Sequence, residues 1–296
     1  MKSARFLLLM FVVLTLAVPL LARGNDGENF RLISFDPRGS TETHAFAINN
    51  SGAVVGYYID ANRFAVGYER FPDGKIVPLS LTTGGLQDQT YFEGLNNFNV
   101  IAGYYYPNPS NVPTGILLFG GNVVKYSFEP NYATQVLTVN DRGEVGGAYY
   151  ANPLTGFLEL NNPHRKVSIS VSGSTSTYIL CLNNFEYAGG AYSDSSGNFH
   201  AFLRKPDGTI EDLGPKTWVQ SSAYGINNWG LIVGSAVDSH GVFHGFYGQP
   251  EDFRLFDYPG ATFTVLTGVN DDGEMSGRYI DQSGKSHGFI LLHKGE

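Results

Sequence analysis

The sequence predicts an all-β fold, a six-bladed β-propeller built from four-stranded blades. One short motif occurs six times at spacings of 43 to 47 residues, and each repeat holds four strand-like runs separated by turn residues. The 37 Gly, 18 Tyr and 21 Phe residues favour short strands and tight turns. No window of about a dozen residues has a convincing helical period.

The repeated motif is an apolar residue, Asn, then Asn or Asp, any residue, and usually Gly. A second Gly stands seven residues after the first Asn in all six repeats, and Tyr follows two residues later in five of them. The first Asn of each repeat is Asn49, Asn96, Asn140, Asn183, Asn227 or Asn270. This regularity predicts one blade per repeat.

The motif is typical of a turn between the first two strands of a blade, strands a and b, with its Gly in the left-handed region. Asn99 replaces that Gly in the second repeat and tolerates the conformation. Glu186 replaces it in the fourth repeat and does not suit it, so we expect a different turn there. The Gly within strand b predicts room for an aromatic ring from a neighbour, with the Tyr two residues on as a packing partner.

The two ends of the chain predict how the ring closes. No outer strand d follows the third strand of the last repeat, whereas residues 30–36 resemble residues 253–257, a strand d of the fifth repeat. We therefore predict that the N-terminal strand completes the last blade and leaves no open edge. The alternative, an open β-solenoid, would need a polar capping unit at each end.

The N-terminal residues have the layout of a secretory signal. Lys2 and Arg5 precede an apolar run, and Pro19 and a small residue precede Arg23. We predict a signal peptide at residues 1–22, a short leader at 23–29 and the propeller at 30–296; a retained N-terminal anchor is the alternative. The expected location is the exterior or periplasm of a bacterium, with no membrane attachment after cleavage.

Charge and cysteine content limit the partners. Removal of residues 1–22 takes away two cations and no acids, which changes the formal charge from −8 to −10. An acidic chain without basic runs cannot neutralise a row of phosphates, so we expect no nucleic-acid partner. The single Cys, Cys181, cannot form an internal disulfide and is expected to be a small buried residue. We expect a monomer without a cofactor.

The repeats resemble the bacterial extracellular repeats called HAF. The resemblance is carried by Gly-Ile-Asn-Asn-Trp-Gly-Leu-Ile-Val-Gly at residues 225–234 and by His-Ala/Gly-Phe at residues 200–202, 244–246 and 287–289. The His position holds Val66, Thr114 and Thr155 in the first three repeats, so the signature is intact in half of them. The resemblance implies export and a repeat scaffold, and it transfers no catalytic residue.

A hydroxyl residue stands six positions before each motif Asn. In a propeller these residues lie where the innermost strand begins, so they could form a ligand-binding ring at one mouth of the central channel. The alternative is that each hydroxyl bonds to backbone where strand d turns into the next strand a. The six residues are Thr43, Thr90, Thr134, Thr177, Ser221 and Thr264.

Metal sites and familiar nucleophiles are not predicted. His200, His244 and His287 lie on third strands, about 15 Å from the axis, so equivalent residues of adjacent blades cannot share Zn²⁺. A hydrogen bond between strand c and its neighbour explains them better. The Asn-Asp runs lack the full spacing of a calcium loop and are interpreted as turns.

The preferred function is a binding module without catalytic activity. A glycan or an extracellular protein would meet the face that carries the d–a and b–c loops, on exposed aromatic rings such as Tyr106, Tyr132 and Trp218.

The alternative is a hydrolase or lyase at the channel mouth on that face. Its candidate residues are Glu93, His44, Tyr91 and Tyr178, with Tyr224 as a further channel residue. Glu93 is a lone carboxylate, whereas hydrolysis by paired carboxylates needs two within roughly 5–9.5 Å.

Overall fold

The computed structural model describes residues 30–161 and 163–293. These residues form six four-stranded antiparallel sheets and no helix. Five sheets are meanders, and in the sixth the outer strand is the N-terminal strand of the chain. The innermost strand of each sheet contacts the innermost strands of both neighbouring sheets, all the way round. The fold is therefore the predicted six-bladed β-propeller. The predicted signal peptide and leader lie outside the described residues, and nothing in the described part is a helix that could cross a membrane.

Each blade has strands a to d from the axis outward. Those of blade 1 are Glu42–Ile48, Val54–Ile59, Ala65–Arg70 and Ile76–Leu79; those of blade 2 are Gln89–Leu95, Ile101–Tyr106, Thr114–Phe119 and Asn122–Tyr126. Those of blade 3 are Thr134–Val139, Val145–Tyr149, Thr155–Asn161 and His164–Ile169; those of blade 4 are Ser176–Leu182, Ala188–Ser193, Phe199–Arg204 and Ile210–Asp212. Those of blade 5 are Gln220–Ile226, Ile232–Val237, Phe243–Gln249 and Asp252–Phe256; those of blade 6 are Phe263–Val269, Met275–Ile280, Ser286–His293 and Phe30–Phe35. A small hairpin, Thr82–Thr83 and Leu86–Gln87, connects blades 1 and 2.

The N-terminal strand closes the ring. Phe30–Phe35 runs antiparallel to Ser286–His293, with Phe30 opposite His293 and Phe35 opposite Gly288. The predicted closure is confirmed. First and last blades are thus one hydrogen-bonded sheet, so loss of the N-terminal strand would expose the edge of strand 6c.

The invariant Gly of strand b is required by close backbone approach. Every strand a has a β-bulge opposite it. In blade 4, a Cβ on Gly190 would lie 1.9 Å from the carbonyl oxygen of Tyr178 and 3.1 Å from the ring of Phe202. The predicted aromatic neighbour is therefore present, but here strand c supplies it, as the direct cross-strand partner. The Tyr two residues on, Tyr192, packs against the same ring, with ring centroids 6.3 Å apart.

The turn at Glu186 does not differ from the others, so that prediction was wrong. Glu186 adopts φ 63°, close to Asn99 at 58°, and its N–H donates to the carbonyl of Asn183 as Gly52 does to Asn49. The left-handed conformation costs about 1–2 kcal/mol for a residue with a Cβ. The surrounding blade imposes it, and the guanidinium of Arg165 binds the Glu186 carboxylate.

The hydrophobic core is divided among the interfaces between blades. Between blades 4 and 5, for example, Cys181 and Leu203 pack with Ala223 and Phe246. Burial raises the pKa of the Cys181 thiol to about 12, so the residue is a packing element and stays protonated at neutral pH.

Candidate functional site

The two ends of the channel differ in their connections. We call the end with the d–a and b–c connections the loop face; the strands a begin there. We call the opposite end, with the a–b and c–d connections, the turn face; the six Asn motifs lie there.

The six hydroxyl residues are buried at the corners of the loop face. All are at most 6 % exposed. In four of them the hydroxyl oxygen accepts an N–H from the preceding d–a connection, Thr90 from Leu81, Thr134 from Phe128, Thr177 from Val171 and Thr264 from Tyr258. Ser221 accepts the N–H of Ala201, and Thr43 donates to Asp36. Four of the six residues therefore make the backbone hydrogen bonds at the d–a corner that the alternative to a ligand-binding ring predicts.

A continuous band of aromatic rings runs along the channel mouth of the loop face. We call His44, Tyr57, Tyr91, Tyr104 and Tyr106 the aromatic band. His44 stacks on Tyr57 with ring centroids 4.5 Å apart, and Tyr57 meets the edge of Tyr91 at 4.7 Å. Tyr91 stacks on Tyr104 at 4.9 Å, and Tyr106 lies 5.9 Å from both. The side chains come from strands a and b of blades 1 and 2, on the face of each blade opposite the buried hydroxyls.

Two further tyrosines extend the band to blades 3 and 4. Burial, and secondarily the nearby Tyr106, raises the pKa of Tyr150. Burial and the nearby Tyr106 also raise the pKa of Tyr178. Tyr150 is 43 % exposed, so the band has an open edge that a ligand can reach.

At and below the band, the channel holds titratable side chains in a poorly hydrated place. Burial raises the pKa of Glu93 to about 7, while a hydrogen bond from Tyr104 acts in the opposite direction. Burial, and secondarily the positive charge of Arg278, lowers the pKa of His44 to about 3, so this imidazole is neutral at physiological pH. Glu93 and Tyr224 line a channel cavity of about 70 Å³.

The structure brings most of the predicted catalytic candidates together. His44 and Tyr91 are linked through Tyr57, and Glu93 is linked to Tyr91 through Tyr104. Tyr178 lies further round the mouth, beyond Tyr106.

Two other carboxylates near the mouth have their own partners. Glu42 lies 3.4 Å from the Nε2 of His44. Asp88 accepts hydrogen bonds from Asn108 N and Thr83 Oγ1, each at 2.8 Å, and so holds the loops. No group of three or more His, Cys, Asp or Glu residues suited to a metal ion occurs within residues 30–161 and 163–293.

The three predicted loop aromatics have different environments. Tyr106 belongs to the aromatic band. Tyr132 is 47 % exposed and packs on the edge of Tyr149, on the blade face that carries Thr134.

Trp218 is not an exposed ring, and that prediction was wrong. Its indole packs 4.9 Å from the ring of Phe246 and against the interface of blades 4 and 5. Gly214, at φ 89°, has no side chain in the space that the indole occupies.

The predicted hydrogen-bonding role of the strand-c histidines is what the structure shows. His200 lies 3.0 Å from Asp194, His244 lies 2.8 Å from Asp257, and His287 lies 2.8 Å from Asp36. Each imidazole thereby ties strand c to a carboxylate of an adjoining b–c turn or outer strand.

Sequence reasoning missed a closed hydrogen-bonded ring on the turn face. It is formed by the six motif Asn side chains, and we call it the amide ring. The side-chain Nδ2 of each motif Asn donates to the carbonyl of the motif Asn in the next blade, at 2.9 to 3.3 Å, and Asn270 closes the circle on Asn49. The Oδ1 of the same Asn accepts two N–H groups of its own turn, as Asn96 does from Phe98 and Val100. The sixfold recurrence of Asn beside the axis was the available signal.

A second ring lies beside the first. The backbone N–H of the residue after each motif Asn donates to the Oδ1 of its counterpart in the next blade, at 2.8 to 2.9 Å. Two of these six residues, Asp141 and Asp271, lie in opposite blades, and each accepts an amide N–H from both neighbours. The motif therefore fastens all six blades together.

The fold and the mouth define a six-bladed propeller with an aromatic channel entrance, and solved structures resemble it. An Aleuria aurantia lectin in complex with Fucα1-6GlcNAc has a TM-score of 0.53 and 9 % identity, over 88 % of this chain and 97 % of that one. SapL1 lectin in complex with α-methyl fucoside has 0.55 and 10 %, over 86 % and 94 %. TolB from Acinetobacter baumannii has 0.53 and 12 %, over 88 % and 66 %.

At these identities the resemblance establishes the fold alone. A scan against protein-family models found no match, and neither did a search of curated proteins.

Proposed function

We propose that this protein is an exported carbohydrate-binding propeller that holds a sugar at the aromatic band of the loop face. The observation that carries the proposal is the unbroken series of rings from His44 to Tyr106, with the exposed edge of Tyr150 beyond it. Tyrosine rings offer an apolar face to the C–H groups of a sugar and a hydroxyl to its oxygens. Because neighbouring rings hold each other in place, little side-chain entropy is lost on binding.

The charge of the chain agrees with a neutral ligand. The formal charge of −10 expected after removal of residues 1–22 disfavours phosphate-rich partners. The mouth combines a neutral imidazole, tyrosines and a carboxyl with a pKa near 7, and the guanidinium of Arg278 is balanced there by the carboxylate of Glu42. Export and membership of the HAF repeats remain predictions from the sequence.

A glycan array with the chain lacking residues 1–22 tests the proposal. We expect binding to a subset of neutral glycans, weakened about tenfold or more by Tyr150→Ala or Tyr106→Ala. Tyr132→Ala is the matched control, an exposed tyrosine of the loop face outside the aromatic band, and should leave binding unchanged. An array without binding, or equal losses in all three variants, would refute the proposal.

The hydrolase or lyase alternative depends on Glu93, whose pKa of about 7 suits a proton-transferring group. The same experiment distinguishes it, because an enzyme would convert the bound glycan. Release of product in wild type but not in Glu93→Gln would replace the binding proposal with the catalytic one.

A further inference from the structure

A groove on the turn face carries exposed aromatic rings that the loop-face proposal does not use. It lies between blades 4 and 5 and has a volume of about 550 Å³. Phe185 and Trp229, each two residues after the first Asn of its motif in two adjacent blades, both line it and are 61 % and 60 % exposed. Exposed large rings beside a cleft are typical of recognition surfaces.

The indole of Trp229 is fixed in orientation. Its Nε1 donates to the carbonyl of Asp271 in the next blade at 3.0 Å. Its backbone N–H is held by the Oδ1 of Asn227 at the same distance. The indole of Trp229 is therefore held rigidly beside the amide ring of the turn face. A ligand that stacks on the indole does not have to order this side chain first.

The rest of the groove is amphipathic. Buried Ile226, Ile232 and Leu203 form an apolar floor. Lys205 and Glu211 are paired at 2.5 Å and neutralise each other. Gln249 and Glu251, on the c–d turn of blade 5, add exposed amide and carboxylate groups at the rim.

We propose that this blade 4–5 groove is a second carbohydrate site, independent of the aromatic band, and that it takes a neutral sugar ring stacked on Trp229. The two flanking aromatic rings match the apolar faces of a pyranose, and the amide and carboxylate groups at the rim match its hydroxyls. The internal pairing of Lys205 with Glu211 leaves little net charge to select an ionic ligand. With a site on each face, the protein can join two glycan chains.

Tryptophan fluorescence reports on this groove. The chain has two Trp residues, and Trp218 is half-buried against the interface of blades 4 and 5, so an emission change that is lost in Trp229→Ala belongs to the groove. The probes are glucose, galactose, mannose, fucose and N-acetylglucosamine as methyl α-glycosides, titrated into the protein without residues 1–22. At least one should shift the Trp229 emission to shorter wavelength and protect it from acrylamide quenching.

Variants separate the groove from the aromatic band. Trp229→Ala should weaken binding of the active probe in the groove, measured by saturation-transfer NMR, about tenfold or more. Phe98→Ala is the matched control, because Phe98 occupies the same motif position in blade 2, is 72 % exposed and lies outside the groove. It should change nothing, and Tyr150→Ala should leave the Trp229 response intact.

Three results would overturn the second site. They are no emission change with any probe, equal loss in Trp229→Ala and Phe98→Ala, or capture of a peptide that depends on Trp229 without any sugar response. Failure of the loop-face proposal would show instead as an array signal insensitive to Tyr150 and Tyr106. The two proposals therefore fail separately.

Discussion

The Nδ1 of His287 lies 2.8 Å from the carboxylate of Asp36, a residue 251 positions earlier in the chain. Asp36 directly follows the N-terminal strand, and it also accepts hydrogen bonds from Lys285 at 2.9 Å and Thr43 at 2.6 Å. One carboxylate thus connects the closing strand, strand c of blade 6 and strand a of blade 1. These contacts of Asp36, which we call the polar lock, hold the seam between the first and last blades in addition to its β-ladder.

We expect Asp36→Asn to lower the free energy of unfolding by about 2 kcal/mol, because an amide cannot accept all three bonds as the carboxylate does. Urea unfolding followed by circular dichroism measures the loss. Asp257→Asn is the control, because Asp257 binds His244 in blade 5 away from the seam. Equal losses in both variants would show that the lock has no special role in closure.

We expect Asn96→Asp to lower the free energy of unfolding by on the order of 3 kcal/mol, because the substitution breaks the amide ring of the turn face. The Nδ2 of Asn96 faces the carbonyl oxygen of Asn140 at 2.9 Å, and an oxygen there would repel it while the Oδ1 bonds survive. Thermal unfolding of this variant is compared with Asn62→Ala, a change at an exposed b–c turn. Unfolding of the two variants at the same temperature would contradict a fastening role for the ring.

Gly190→Ala should cost more than about 3 kcal/mol, because the new Cβ would lie 1.9 Å from a backbone oxygen that the bulge holds in place. Gly197→Ala provides the comparison. Gly197 has φ 85° with nothing within 4 Å of an added Cβ. The only cost of the substitution is therefore that of the left-handed conformation, about 1–2 kcal/mol. Chemical denaturation of both variants gives the ranking, and a larger loss at Gly197 would refute it.

Glu93 should make stability pH-dependent. Its pKa is raised from 4.5 to about 7 in the folded chain, so the folded state binds the proton more tightly than the unfolded state. The resulting stability is fully present below pH 4.5 and is lost as the pH rises through 7, by at most roughly 3 kcal/mol. Glu93→Gln keeps the neutral shape, so it should gain stability over wild type between pH 5 and pH 8.

Melting temperatures of wild type and Glu93→Gln at pH 5 and pH 8 check this sign. The advantage of the variant should be larger at pH 8. An advantage that is constant across the two pH values would mean that Glu93 is hydrated in the folded chain.

The blade number, the strands and the ring closure could all be predicted from the order of the amino acids. The Asn-to-Asn spacing sets one blade per repeat, and residues 30–36 could pair with only one unfilled edge. In the last repeat the turn residues predict strands at 263–270, 274–280 and 286–293, and the observed strands begin and end within one residue of these positions. These features follow from local periodicity and turn chemistry, which the order of residues along the chain expresses directly.

The contacts between side chains of different blades could not be predicted and are known only from the folded chain. The aromatic band joins His44 to Tyr106 across two blades, the amide ring joins Asn270 to Asn49 across the seam, and Trp218 turns inward over Gly214. The conformation of Glu186 was likewise imposed by its surroundings against local preference. Contacts between blades depend on how the sheets are placed around the axis, and the repeat pattern of a single blade does not contain that information.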